Sequence, residues 1–233
     1  EGQITEALDF IMDHALTNTL PIFNCNNYGQ AGEVSDQQSP EKMTAKLEAF
    51  GFEVATIDGH DPTAIMEAFD RFNTPERTQP MAIVAKTIKG WGAPSMQGGN
   101  WHGKPANKEE VGAVVAELQQ SGLTLTSSLA TVPISIPVPP LASEQVSSSC
   151  DPMSFREAME KWDMTSVLQT GRLATRRAFG IALRALGHTN KNVWSVDADV
   201  SNSTFSNMFA GDEECKDRFV ECKIAEQNMY SVG

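Results

Sequence analysis

Hydrophobic and polar positions along residues 1–121 alternate between helical periodicity and short apolar runs. Apolar residues three and four positions apart predict helices, whereas short apolar runs between turn residues predict buried strands. The predicted helices cover residues 3–15, 40–50 and 63–72 and a segment that begins near residue 107, and the predicted strands cover residues 20–23, 52–57 and 81–85. This order predicts an α/β fold with a mainly parallel sheet flanked by helices, whose ligands bind beyond the carboxyl ends of the strands.

Residues that favour helix boundaries support these elements. Ser39 and Asp61 each precede a proline, which is typical of an N-cap followed by the first helical residue. Gly51 is a typical helix end. The string Asn107-Lys108-Glu109-Glu110 predicts a capping box for the fourth helix. The predicted buried stripe of that helix consists of Val111, Val114, Val115 and Leu118.

A proline-rich segment interrupts the alternation. The run Pro133-Ile134-Ser135-Ile136-Pro137-Val138-Pro139-Pro140 excludes a regular central element, so residues 122–172 are predicted to be an interdomain linker with a short helix at 154–162. A second α/β part follows at 173–233, with a helix at 173–186 that ends at Gly187 and strands at 193–196 and 219–222. The predicted buried face of its helix consists of Phe179, Ala182, Leu183 and Leu186.

Composition narrows the functional classes. The 233 residues are 40% hydrophobic and 21% charged, which is typical of a globular protein. A net charge of −12 argues against a nucleic-acid partner, and no apolar stretch approaches the length that spans a membrane. The four cysteines have no zinc-site spacing, and no signal segment opens the chain. A cytoplasmic protein with free thiols is expected, and both ends, which fall inside predicted helices, are expected to be cuts in a longer chain.

Two loops of the first part contain candidate ligands. The string Asn24-Cys25-Asn26-Asn27-Tyr28-Gly29-Gln30 follows a predicted strand, and its carboxamides suit a hard cation such as Mg²⁺, although the same residues are common in simple turns. The loop of residues 89–106 carries Lys89 and His102, which suit phosphate oxygens. A flexible exposed loop is the alternative there.

Two further candidates lie in the second part. The string Asp197-Ala198-Asp199-Val200-Ser201-Asn202-Ser203-Thr204 offers paired carboxylates at a strand end, or alternatively a helix cap. Glu226 lies between apolar residues and an amide pair, so that burial would raise the pKa of its carboxyl group. An exposed glutamate in the first turn of a helix is the ordinary alternative.

Strings along nearly the whole chain outside the linker together resemble the transketolase family, most closely its animal-type members. The first part contains Glu1-Gly2-Gln3, Leu47-Glu48-Ala49-Phe50-Gly51-Phe52, Asp58-Gly59-His60, Lys86-Thr87-Ile88-Lys89-Gly90 and Trp101-His102-Gly103-Lys104-Pro105. The second part contains Ala174-Thr175-Arg176-Arg177-Ala178-Phe179-Gly180, Asn202-Ser203-Thr204-Phe205-Ser206 and Ile224-Ala225-Glu226-Gln227-Asn228-Met229. The resemblance implies that residues 1–121 are the end of a diphosphate-binding domain and residues 173–233 the start of a pyrimidine-binding domain.

The family implies a thiamine diphosphate cofactor with Mg²⁺ or Ca²⁺. By match, the Asn26 side chain and the Tyr28 carbonyl would be metal ligands, and the aspartate that completes the metal site would precede Glu1. Lys89 and His102 match positions that contact the cofactor. Asp199 matches an acidic position near the pyrimidine, with a less defined role.

The family also implies a catalytic role for Glu226, whose carboxyl group would bind the aminopyrimidine ring and assist proton transfer. His102 would relay protons near the donor sugar, and Arg176 and Ser203 would bind the sugar phosphate. The implied reaction moves a two-carbon ketol unit from a ketose phosphate to an aldose phosphate. The implied assembly is a homodimer with its active site between subunits, and the isolated chain is expected to be inactive because family parts lie beyond both ends.

Two alternatives remain. Another thiamine-diphosphate enzyme, such as a deoxyxylulose-phosphate synthase or the dehydrogenase of a 2-oxo acid complex, would share the fold, although the strings at Trp101–Pro105 and Asn202–Ser206 argue against it. A non-catalytic scaffold that retained the fold is the other. Unchanged activity in a Glu226→Ala variant would favour the scaffold.

Overall fold

Parallel strands flanked by helices run through the computed structural model, which describes residues 2–29, 32–98, 101–124 and 152–233. The chain divides into a first unit, Leu8–Ile136, and a second unit, Pro137–Gly233 together with Glu1–Ala7. The predicted α/β class is confirmed. The proline run at 133–140 lies outside the described residues, and the domain bounds inferred from the sequence remain predictions.

The first unit contains a parallel sheet of strands β1 (Ile22–Cys25), β2 (Glu53–Asp58) and β3 (Met81–Lys86), in the order β1-β3-β2. Residues 81–84 of the central strand are all buried, which explains its uninterrupted apolar run. Because all three strands are parallel, their carboxyl ends lie at one edge of the sheet, and the loops that follow them meet there.

The helices of this unit are α2 (Pro40–Phe50), α3 (Pro62–Phe72), α4 (Val111–Thr124) and the part of α1 (Gly2–Asp13) that begins at Leu8. Ser39 Oγ and an Asp61 carboxylate oxygen accept backbone N–H groups in the first turns of α2 and α3, so both predicted N-caps are confirmed. Gly51 ends α2 with φ of 101°, a left-handed conformation that favours glycine. The two faces of the sheet bury separate clusters, one around Leu47 and one around Met81.

The predicted buried stripe of α4 is wrong in part. Its capping box forms, since Asn107 Oδ1 accepts from Glu110 N at 2.9 Å and Glu110 Oε2 accepts from Asn107 N at 3.2 Å. Within the stripe, however, only Val114 is buried. The other three residues, Val111, Val115 and Leu118, are 47%, 45% and 48% exposed. Described contacts of α4 involve the loop of residues 92–96, which covers a narrow strip of the helix.

The second unit contains short helices around a pair of parallel strands. Its elements are α5 (Phe155–Lys161), α6 (Thr165–Thr170), α7 (Thr175–Thr189), β4 (Ser195–Asp197), α8 (Ser201–Thr204), α9 (Asn207–Ala210), β5 (Phe219–Glu221) and α10 (Glu226–Val232). Strands β4 and β5 pair in parallel. The predicted short helix at 154–162 is present as α5, which begins with a capping box between Ser154 and Glu157. Helix α6 was not predicted from the sequence.

The predicted buried face of α7 is wrong. Phe179 and Leu186 are 53% and 42% exposed, whereas Gly180, Ile181, Ala185 and Gly187 are buried. The glycines face the core because aromatic residues approach them closely. A Cβ atom at Gly180 would lie 2.4 Å from the Phe205 carbonyl oxygen, and one at Gly187 would lie 2.3 Å from the Phe209 ring. For the same reason Gly187 is a packing residue within α7 rather than its end.

Within the described residues, no helix combines the length and the apolar character needed to cross a bilayer.

Candidate functional site

The first candidate site lies at the carboxyl edge of β1 and β3. Asn24 pairs in register with Ala85 on the neighbouring strand. Beyond the strands, Thr87 N donates to the Cys25 carbonyl at 3.2 Å, and Thr87 Oγ1 donates to the Asn24 carboxamide. The two loops that carry the candidate ligands are therefore adjacent, as the parallel sheet predicted.

Oxygen atoms converge in the loop after β1. Asn26 Oδ1 accepts from Tyr28 N at 2.9 Å, which forms a tight turn around Asn27, whose φ is 65°. Two backbone hydrogen bonds pair this loop with residues 32–34 through the carbonyls of Asn27 and Gly32. These bonds leave the Tyr28 carbonyl outside the pairing, so the turn holds a carboxamide oxygen and a backbone carbonyl two residues apart.

Lys89 connects the two loops. Its Nζ atom donates to the Gly29 carbonyl at 2.8 Å and lies 5.9 Å from the centre of the Tyr28 ring. The side chain is partly buried, so its ammonium group is held beside the turn of Asn26 rather than spread into solvent. The structure thus brings together three of the residues that the sequence proposed for one site: Asn26, Tyr28 and Lys89.

The loop that carries Lys89 is also fastened from β2. His60 Nε2 accepts from Ile88 N at 2.8 Å, and the His60 ring stacks on Trp91 with centroids 4.4 Å apart and an interplanar angle of 5°. An accepting Nε2 requires that the proton of the neutral ring be on Nδ1. The sequence assigns no role to His60, although its position just after a predicted strand is the signal that would have found it.

A cavity of about 350 Å³ lies beside the same turn. Its lining includes Asn27 and Tyr28 together with Glu33, Asp36 and Ser39. Carboxylate, carboxamide and hydroxyl oxygens are ligands that Mg²⁺ and Ca²⁺ accept, so the donor set of this region fits a hard cation.

His102 is not brought to this group. It is exposed on a turn closed by Lys104 N and the Trp101 carbonyl at 3.4 Å. The structure gives the His102 side chain no hydrogen bond or ion pair with another described residue.

The second candidate site lies at the carboxyl edge of β4 and β5. Ser203 is exposed in α8, one residue before the end of that helix. Arg176, in the first turn of α7, places its guanidinium carbon 5.4 Å from the centre of the Phe205 ring. Arg176 and Ser203, which the resemblance assigned to one phosphate group, therefore lie on segments that pack together, with Gly180 against the Phe205 backbone.

Carboxylates organise this edge. Asp197 is buried and accepts from Val200 N at 2.8 Å and from Ser206 Oγ at 2.7 Å. Glu221 accepts from the backbone of Asp199 at 3.0 Å. The sequence predicts Asp197 as half of an acidic pair but contains no signal for Glu221, because alternation within a three-residue strand does not indicate which polar side chain turns inward.

Glu226 is the first residue of α10, and its side chain is exposed. The burial that the resemblance favoured is therefore absent within this chain. Its neighbours occupy the inner positions instead: Ala225 and Asn228 are 4% and 5% exposed. Among the described buried side chains, the Asn228 Nδ2 atom has no hydrogen-bond partner.

A buried ionic cluster lies away from this edge. Asp212 accepts from Arg184 Nε at 2.6 Å and pairs with His188 Nε2 at 2.9 Å. Burial alone raises the pKa of Asp212, but the hydrogen bonds from His188 and Arg184 outweigh burial and hold that pKa well below its ordinary range. The Cys215 Sγ atom completes a group whose ligand atoms lie within 4.8 Å of one another. Because Arg184 already neutralises Asp212 and burial raises the pKa of Cys215, the geometry favours an ion-pair cluster over a metal centre.

Comparison with known proteins matches the two segments that carry these edges to domains of one family. The model for the transketolase thiamine diphosphate binding domain matches residues 1–126, and the model for the transketolase pyrimidine binding domain matches residues 171–233. The chain is 36% identical over 238 residues to transketolase-like protein 2 of Mus musculus, and 33% identical over 234 residues to transketolase of Homo sapiens. Both matches cover 100% of this chain, which spans 35% and 34% of the length of those relatives.

Solved structures share the fold. Transketolase from Campylobacter jejuni superposes with a TM-score of 0.60 at 18% identity, covering 100% of this chain and 38% of that one. Transketolase from Pichia stipitis in complex with sedoheptulose-7-phosphate superposes with a TM-score of 0.56 at 14% identity, covering 100% and 39%. At these identities the structural likeness establishes the fold alone.

Proposed function

We propose, from the premise that this chain belongs to the transketolase family, that a protein containing it transfers a two-carbon ketol unit from a ketose phosphate to an aldose phosphate. The observation that carries the proposal is the Lys89–Gly29 hydrogen bond of 2.8 Å, which holds a cation beside the oxygen-rich turn of Asn26 and Tyr28. An ammonium group next to hard oxygen ligands is the combination that a metal-bound diphosphate requires.

The residues at the first edge fit the diphosphate end of thiamine diphosphate. The Asn26 carboxamide and the Tyr28 carbonyl would be ligands of Mg²⁺ or Ca²⁺, and Lys89 would donate to a phosphate oxygen. His60, which follows β2, would hold the Lys89 loop in place, since its ring accepts from the Ile88 backbone and stacks on Trp91 of that loop. The bound cofactor supplies the carbanion chemistry, and the protein supplies binding and orientation.

Residues at the second edge fit the pyrimidine end and the sugar phosphate. The Glu226 carboxyl group would hold a proton at the aminopyrimidine ring, and Asp199 would lie near that ring. Arg176 would bind the sugar phosphate through two parallel N–H donors, with Ser203 adding a hydroxyl. A sugar phosphate occupies one of the Pichia stipitis transketolase structures, which supports this substrate class. His102 would relay protons near the donor sugar, an assignment that rests on the family match.

The proposal includes an assembly and a location. Two copies would form a homodimer in which the diphosphate-binding half of one subunit faces the pyrimidine-binding half of the other. Monomers would then be inactive, and the 233-residue chain alone is expected to show no turnover. The domain division at 1–121, 122–172 and 173–233 is part of the proposal, supported by family-model matches over 1–126 and 171–233. A cytoplasmic location is also part of the proposal.

Replacement of Glu226 tests the function. In a longer protein that carries this chain, Glu226→Gln should lower turnover of xylulose 5-phosphate with ribose 5-phosphate roughly 1000-fold, the scale of a lost acid–base group. Glu213→Gln is the matched control, because Glu213 is also an exposed glutamate of the second unit, with a side chain 85% exposed. Coupled detection of the triose phosphate product measures both. Equal turnover in the two variants would remove Glu226 from catalysis and favour a scaffold.

A further inference from the structure

We infer that Glu221 is a positioning residue that fastens the loop carrying Asp199 to the segment that leads into Glu226. The inference rests on the proposed function for the role of those two residues, and on geometry for the fastening itself. It adds Glu221, which the family match did not assign, to the residues on which turnover depends.

One carboxylate oxygen accepts a hydrogen bond from each of the two loops. Glu221 Oε1 accepts from Asp199 N at 3.0 Å and from Lys223 N at 2.8 Å. Asp199 lies in the loop after β4, and Lys223 lies in the loop after β5. Hydrogen bonds from backbone N–H groups to a carboxylate are about twice as strong as those between neutral groups, so one side chain holds two loops together.

The backbone at both donors needs such support. Asp199 has φ of 56° and Lys223 has φ of 61°, left-handed conformations that non-glycine residues adopt rarely. Such conformations are unfavourable and persist where surrounding contacts fix them. Both strained residues donate to the same oxygen, which indicates that Glu221 stabilises this conformation of the edge.

The strand register places Glu221 where it reaches both loops. Asp197 pairs with Glu221 across the parallel strands, and Cys222 N donates to the Asp197 carbonyl at 2.8 Å. The Glu221 side chain thus starts at the end of β5 and turns toward the loop that leaves β4.

After Glu221 in the chain, a tight turn connects Lys223 to Glu226, the proposed catalytic residue. Ala225 N donates to the Lys223 carbonyl at 2.8 Å, which closes a tight turn directly before Glu226. The orientation of Lys223 therefore determines the direction in which α10 leaves the strand, and with it the place of the Glu226 carboxyl group. A displacement of about 1 Å at a catalytic group lowers turnover by about 100-fold.

Amide hydrogen exchange tests the fastening without reference to activity. In the 233-residue chain, Glu221→Ala should raise the exchange rates of the Asp199 and Lys223 amides at least tenfold, which is the loss of one charge-assisted hydrogen bond. Glu221→Gln keeps an accepting Oε1 and should keep most of the protection. Glu221→Asp keeps the charge but is one methylene shorter, and should behave like the alanine variant. Unchanged exchange at both amides in the alanine and aspartate variants would overturn the inference while leaving the proposed function intact.

Steady-state kinetics test the consequence in a longer protein that carries the chain. Glu221→Ala and Glu221→Asp should lower kcat about 100-fold while KM for each sugar phosphate changes less than about threefold, and Glu221→Gln should recover most of the turnover. Glu213→Ala controls for removal of an exposed glutamate from the same unit. If Glu221→Ala fails to fold, the difference in kcat between Glu221→Asp and Glu221→Gln tests the positioning role. Wild-type activity in the aspartate variant would refute the positioning role, whereas an inactive wild-type protein would refute the proposed function instead.

Discussion

At the carboxyl edge of β1 and β3, the side chains that bridge the loops are cationic or neutral. Lys89 donates to a carbonyl, Thr87 donates to a carboxamide, and His60 accepts a backbone N–H. At the edge of β4 and β5 the bridging groups are the carboxylates of Asp197 and Glu221, which accept backbone N–H groups. The charged side chain among these bridges is thus a cation, Lys89, at the first edge and a carboxylate at the second.

This difference separates the ligands that each edge suits. On the proposed function, a cationic brace next to the oxygen atoms of Asn26 and Tyr28 would attract a metal-bound diphosphate. Anionic braces repel a diphosphate, but they orient backbone and side chains toward a neutral ring, while the exposed Arg176 remains for a phosphate group. The comparison also predicts different sensitivities to acid, because the second unit buries the ionised carboxylate of Asp212, whereas the ion-paired carboxylates of the first unit, Glu41 and Glu53, are not buried.

The largest expected effect concerns Asp212, the most strongly perturbed carboxylate of the second unit. Since hydrogen bonds hold its pKa below the ordinary value, its ionised form stabilises the fold above the unfolded pKa near 4, and that contribution is lost as pH falls toward the folded pKa. Asp212→Asn should lower the free energy of unfolding of the 233-residue chain at pH 7 by about 3 kcal/mol, because it leaves Arg184 without its buried partner. Urea denaturation measures this.

Acidification tests the same contrast between units. As pH falls below about 4, the unfolded pKa of an aspartate, toward the lower folded pKa of Asp212, amides of the second unit should lose exchange protection before amides of β1, β2 and β3 do. Glu213→Gln serves as the control for Asp212→Asn, since Glu213 is exposed and should change stability little. Simultaneous loss of protection in both units, with no effect of Asp212→Asn, would contradict the contrast.

The next effect concerns Lys89. Lys89→Gln removes the charge that fits the first edge to a diphosphate, so the Kd for thiamine diphosphate in a longer protein should rise about thirtyfold, equivalent to about 2 kcal/mol. Titration calorimetry with Mg²⁺ present measures it. Lys42→Gln in α2 is a matched control, because Lys42 is exposed. A Kd unchanged by Lys89→Gln would show that the cationic brace does not recognise the cofactor.

The smallest effect concerns Gly180, which packs against Phe205. Gly180→Ala should destabilise the chain by about 1.5 kcal/mol, because its Cβ would meet the Phe205 carbonyl oxygen at 2.4 Å and displace the segment that carries Ser203. Gly112→Ala in α4 is the control, since nothing lies within 4 Å of its Cβ and alanine should stabilise that helix by about 0.5 kcal/mol. Thermal unfolding of both variants checks the difference. A loss of stability in both would mean that packing at Gly180 is not the cause.

The sequence predicted the elements of the first unit well, because local signals determine them. Ser39 and Asp61 cap helices through their side-chain oxygens, and Gly51 ends α2 in a left-handed conformation. The apolar run 81–84 forms the central strand. The adjacency of the Asn26 and Lys89 loops also follows from strand direction alone.

Tertiary packing explains why the buried face of α7 was predicted wrongly. Helical periodicity in α7 selected the large apolar side chains, but the core side is the one with Gly180 and Gly187, because Phe205 and Phe209 fill the space from other elements. Glu221 and Asp212 could not be singled out for the same reason. Each acts through a partner that is distant in sequence, and a polar residue carries no mark of such a partner.

One measurement tests the central claim, that the two edges are complementary halves of a site shared between subunits. A longer protein with Asn26→Ala and one with Glu226→Gln are co-expressed with different tags, and the doubly tagged assembly is purified and assayed with xylulose 5-phosphate and ribose 5-phosphate. We predict that each variant alone is inactive and that the mixed dimer regains turnover, because one of its sites has both residues intact. A mixed dimer as inactive as its parents, beside an active wild-type dimer prepared in the same way, would contradict it.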